Sequence, residues 1–73
     1  MLVDWSLVCV LIRHHYGPLE RAAKVVGSDG RHLQRLATGV IQQPRFDTGV
    51  KLLDLAYDHL PPEQWRRIRE VSQ

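Results

Sequence analysis

Arg31, Gln34, Arg35 and Thr38 stand three and four residues apart, the spacing that sets side chains on one face of a helix. A guanidinium can donate two parallel hydrogen bonds to O6 and N7 of guanine. A carboxamide can pair with N6 and N7 of adenine, and each good pair discriminates by about 1–3 kcal/mol. Leu33, Leu36 and Ala37 occupy the opposite side of the same stretch, so an apolar face would fix the element while the polar face stays open. Arg21, Lys24, His32 and Arg45 flank it as cations that could hold phosphate, a contact that positions a protein on a duplex without reading its sequence.

The remaining reactive side chains form no comparable pattern. His14 and His15 are adjacent, so they leave a helix in different directions, and no cysteine or carboxylate spacing completes a metal site. Cys9 falls on an apolar stripe and reads as a packed thiol. Asp54, Asp58 and His59 read as a solvated acidic face. No phosphate loop and no pair of acids is apparent, so neither an enzyme nor a cofactor nor a metal is expected.

Charge is distributed unevenly along the 73 residues, whose net value is only +2. Between Arg13 and Arg45 six basic residues, Arg13, Arg21, Lys24, Arg31, Arg35 and Arg45, meet only Glu20 and Asp29. From Phe46 to Glu63 the sign reverses, with Lys51 alone against Asp47, Asp54, Asp58 and Glu63. One basic face directed at an anion is the simplest reading. A chain this short supports a single domain of small stability, at 44% hydrophobic residues, and a partner copy would help it. The single cysteine points away from an oxidising compartment. The apolar run Leu7 to Ile12 is too short to span a bilayer and lacks the flanks of a signal peptide, so a cytoplasmic chain is expected.

The elements that must position these residues are all helical. Trp5, Val8, Cys9, Ile12 and Tyr16 mark the buried face of a first helix over 4–16, with Asp4 as its N-cap. Pro18 opens a second over 18–26, whose stripe is Leu19, Ala22, Ala23 and Val26. Gly27 to Gly30 is a sharp turn, Asp29 or Ser28 caps a third helix over 29–38, and Gly39 ends it. A fourth helix over 45–60 is expected to bury Phe46, Val50, Leu53, Ala56, Tyr57 and Leu60, and its Gly49 implies a close backbone contact. Pro61-Pro62 starts a fifth, over 62–72, with the stripe Trp65, Ile68 and Val71.

Helices two and three meet the requirements of a helix-turn-helix: a small residue where they cross, Ala23; a glycine in the turn, Gly27; and apolar pins on the second helix, Leu33 and Leu36. At these residues, together with Ala22, Val26, Gly39, Pro44, Phe46, Gly49 and Leu52-Leu53, the chain resembles the lambda-repressor-like, or Cro-like, helix-turn-helix regulators of phage and bacteria. The resemblance runs from about Trp5 to Leu60. It implies a compact five-helix, all-α domain and a sequence-specific transcriptional regulator in the cytoplasm, associated with the nucleoid. It also places Asp29, Gly30, Arg31, Gln34, Arg35 and Thr38 toward double-stranded DNA. Arg31, Gln34, Arg35 and Thr38 would then read bases, while Asp29 and Gly30 would join the phosphate contacts. One short reading helix gives limited affinity, so a homodimer on a palindromic operator is expected, with Trp65, Ile68 and Val71 as its interface or else as the completion of the monomer core. The alternative is a small phage-type inhibitor or adaptor that uses the same scaffold to bind a protein partner.

Overall fold

The computed structural model describes residues 3–69. Among them are five helices and no strand: α1 (Trp5–His15), α2 (Leu19–Val26), α3 (Gly30–Thr38), α4 (Phe46–His59) and α5 (Pro62–Arg69). The radius of gyration is 10.8 Å and the extents are 30 × 23 × 20 Å. The continuous apolar run near the N-terminus is a helix because Asp4 caps it, its carboxylate accepting a hydrogen bond from the Leu7 amide at 3.1 Å. Val8, Cys9, Leu11 and Ile12 are buried, while Trp5 and Tyr16 are half-buried at the margin of the same face.

The core gathers α1, the inner faces of α2 and α3, and one side of α4. Leu19, Ala22, Ala23 and Val26 are all buried, as the period of α2 requires. Leu33 and Leu36 are fully enclosed against α1 and α2, and burying a leucine stabilises a fold by about 1.5–3 kcal/mol. Ala37 is half-buried beside them.

Two expectations about packing are corrected. The buried side of α4 is Thr48, Gly49, Leu52, Leu55 and Ala56, continued by Leu60, and not the stripe through Phe46, Val50 and Leu53. Phe46 is 83% exposed and Val50 43%, while Leu53 and Tyr57 are half-buried. The helix is apolar on two neighbouring sides, so period alone does not choose its rotation. Packing at Gly49 chooses it. A Cβ there would stand 3.0 Å from the Trp5 indole and 3.3 Å from the Pro44 ring, so the tight contact is with two side-chain rings rather than with backbone.

The second correction concerns α5. Ile68 is fully buried in the monomer, and its carbonyl accepts the Asp4 amide at 3.2 Å, which fastens the last helix to the start of the first. Ile68 therefore offers no surface to a partner. Trp65 is half-buried, its ring edge-on to Tyr57 at a centroid distance of 5.2 Å. Val71 and the expected end of this helix at residue 72 lie outside the described residues.

Candidate nucleic-acid interface

The corner between α2 and α3 follows from two local devices. Gly27 takes φ +71°, a left-handed conformation that other residues enter at a cost, and Ser28 donates its amide to the Ala23 carbonyl at 2.8 Å. Asp29 then caps α3, its carboxylate accepting the His32 amide at 2.7 Å. The far end of α3 is closed as thoroughly. The Ser6 hydroxyl, on α1, donates to the Ala37 carbonyl; the Gly39 amide donates to Leu36; and the Ile41 amide donates to Arg35 at 3.2 Å. These donors satisfy carbonyls that the last turn of a helix would otherwise leave without partners.

So held, α3 turns Arg31, Gln34, Arg35 and Thr38 to solvent, all four exposed on the side away from Leu33 and Leu36. The Thr38 hydroxyl donates to the Arg35 carbonyl at 3.3 Å. Among the described residues, no hydrogen bond or ion pair engages the side chains of Arg31, Gln34 or Arg35. Their donors are open, and the sequence-derived group of four stands together as a row.

The flanking residues divide into two groups. Arg21 and Lys24 are exposed on α2, three residues apart, with the Arg21 guanidinium beside Gly17. His32 and Arg45 come together across a shallow polar cleft of about 470 Å³, also lined by Ser28, Asp29 and Thr48. Asp29 and Gly30, expected among the phosphate contacts, each have a structural part. The Asp29 carboxylate is committed to capping and would repel a phosphate. Gly30 is half-buried where α2 crosses α3: a Cβ on it would stand 2.8 Å from Glu20 Cγ and 3.4 Å from Glu20 Cα. Asp29 and the stem of Glu20 both stand beside the N-terminus of α3, so the exposed side-chain cations around it are the better candidates for holding an anion.

One cation escaped the sequence reading. Lys51 belongs to the acidic segment by position, yet its ammonium lies 3.8 Å from where a Cβ on Gly27 would stand, at the C-terminal end of α2. A cation at that end complements the helix dipole and adds a positive charge to the corner. No local signal in the sequence marks it, since the contact joins residues far apart in the chain.

The other reactive groups fall into structural roles. Cys9 is buried, and burial pushes its thiol up to about 11, so it stays protonated at neutral pH. His14 and His15, expected to diverge, pack ring edge to ring face at 4.8 Å, and His59 packs on Tyr16 at 4.7 Å. No group of three possible metal ligands is found among the described residues. No helix among them is long and apolar enough to cross a membrane. No family model matches the chain, and no curated protein and no solved structure is significantly similar to it.

Proposed function

We propose that this chain is a sequence-specific DNA-binding regulator of the lambda-repressor-like, helix-turn-helix kind, with the outer face of α3 entering the major groove. The observation that carries this reading is the division of α3 into two faces. Leu33, Leu36 and the Ser6 to Ala37 hydrogen bond fix the inner side, while Arg31, Gln34, Arg35 and Thr38 are exposed on the outer side, the first three with no side-chain hydrogen bond or ion pair to any described residue. A rigid scaffold presenting donors that match guanine and adenine edges is what direct readout needs.

Phosphate contacts are assigned to Arg21 and Lys24 on one flank and to His32 and Arg45 on the other, with Lys51 adding charge at the corner. Two copies on a palindromic operator would double a contact that one short helix makes weakly. A chain of this kind acts in the cytoplasm, on the nucleoid.

Selection from a library of random duplexes tests the proposal, followed by a salt titration on the sequences recovered. Enrichment of a short two-fold-symmetric sequence, with affinity falling steeply as salt rises, supports it. Recovery of no preferred duplex, together with salt-insensitive capture of a protein, would replace it with the adaptor reading.

A further inference from the structure

The polar cleft between the corner of α2 and α3 and the start of α4 holds more chemistry than a duplex contact uses. Thr48 lines it from the buried side of α4 and is only 7% exposed, yet its hydroxyl makes no hydrogen bond to any described residue. Nor is that hydroxyl sealed in the core. Among the described residues the sealed side-chain polar atom without a partner is Trp65 Nε1, so the Thr48 hydroxyl reaches solvent through the cleft that its residue lines. A hydroxyl so placed can both donate and accept, and a ligand that reaches it takes the place of water.

Charges of both signs stand on the same walls. Arg45 and Asp29 are exposed there, and neither forms an ion pair with any described residue. The Asp29 carboxylate gives Oδ1 to the His32 amide and keeps Oδ2 without a partner among the described residues. Ser28 brings a second hydroxyl that no described residue engages, and His32 a half-buried ring. Opposite charges that share a cleft without meeting are complementary to a molecule that carries both, and hydrogen bonds between ionised groups are the strong ones.

We infer that the cleft binds a small zwitterion, a free α-amino acid or a molecule presenting the same two groups. Its carboxylate meets Arg45, its ammonium meets Asp29 Oδ2, and a polar atom reaches the Thr48 hydroxyl. The size is suitable, since about 470 Å³ falls within the roughly 300–1,000 Å³ of small-ligand pockets. Other occupants fit less well. An oxyanion such as phosphate, drawn inside, meets repulsion from Asp29, and a plain amine meets Arg45 and, near Gly27, the Lys51 ammonium. A duplex needs only the exposed rim at Arg45 and leaves the floor at Thr48 unfilled. Arg45 and His32 are also proposed phosphate contacts, so an occupied cleft competes with DNA for both. That consequence alone rests on the duplex-binding reading.

The test is a titration of the isotope-labelled full chain with each of the standard amino acids at up to about 10 mM, read by amide chemical shifts. Acetate, methylammonium and inorganic phosphate serve as probes of one sign only. The expected result is saturable shifts at Ser28, His32 and Thr48 with at least one amino acid, and binding far weaker for each one-sign probe. Thr48→Val, which keeps the shape and removes the hydroxyl, should weaken that binding by about tenfold while leaving affinity for a selected duplex unchanged. Ser28→Ala supplies the same reading should Thr48→Val fail to fold by circular dichroism. No saturation with any amino acid, equal binding of phosphate or acetate, or an affinity indifferent to both hydroxyl substitutions would overturn the inference. Saturable binding of an amino acid by a chain that ignores DNA would support the cleft site while refuting the duplex reading.

Discussion

Glu20 lies over Gly30: the first turn of α2 rests on the first residue of α3 so closely that a single added methyl would stand 2.8 Å from Glu20 Cγ. Gly30→Ala would gain helix propensity in an open helix, yet here it is expected to lower stability by about 1–2 kcal/mol. Thermal unfolding should show a drop of roughly 4–8 °C per kcal/mol in a domain of this size. Adding Glu20→Ala should restore much of the loss, since Cγ is the nearest obstruction. A Gly30→Ala chain that melts at or above the parent temperature would mean that α2 and α3 do not cross this closely.

Ser6 couples α1 to the end of α3 through the Ala37 carbonyl. Ser6→Ala should cost about 0.5–1.5 kcal/mol, the net worth of one such bond. Amide hydrogen exchange should quicken in the last turn of α3 before it quickens elsewhere. Uniform acceleration across all helices would show that the bond supports the fold at large and not that turn in particular.

Burial lifts the Cys9 thiol to about 11, above its ordinary value of 9.0. The folded state therefore favours the neutral thiol. This group's contribution to stability is whole below pH 9 and is lost as pH rises through 11. Denaturant titrations of the parent and of Cys9→Ala should differ by a constant amount up to pH 8, the cost of the lost packing, and the difference should narrow above pH 9. In the folded chain a thiol reagent should react with Cys9 only as fast as the protein opens. Rapid labelling at pH 7 would contradict the packed position.

Arg35→Ala and Gln34→Ala should leave the circular dichroism and melting temperature nearly untouched, because both side chains are exposed and no described residue holds them. Each should weaken binding to a selected duplex by about 1–3 kcal/mol and relax the preference at one or two base pairs. Arg21→Ala or Lys24→Ala should weaken all duplexes alike and flatten the salt dependence. Competition binding on point-changed duplexes separates the two behaviours, and an Arg35→Ala protein with unchanged preference would remove it from the reading set.

Local chemistry was legible in the sequence. Asp4 and Asp29 cap the helices that they precede, and Gly27 and Gly39 take positive φ where the chain leaves a helix. The stripe of α2 was legible because Leu19, Ala22, Ala23 and Val26 recur at the helical period, with Glu20, Arg21 and Lys24 between them. What the sequence left undecided depended on contacts distant in the chain. The rotation of α4 follows from Trp5 and Pro44 meeting Gly49, and burial of Ile68 follows from its place against the start of α1. Lys51 reached the helix corner the same way. The row on α3 needed only period and caps, and it is where sequence and structure coincide most fully.

Amide chemical shifts of the labelled chain, followed as a short selected duplex is added, test the central claim most directly. The account predicts the largest changes at Arg31, Gln34, Arg35 and Thr38, smaller ones at Arg21, Lys24, His32 and Arg45, and almost none at Asp54 and Asp58. Changes confined to the acidic side of α4, or a spectrum that DNA leaves unaltered, would contradict it.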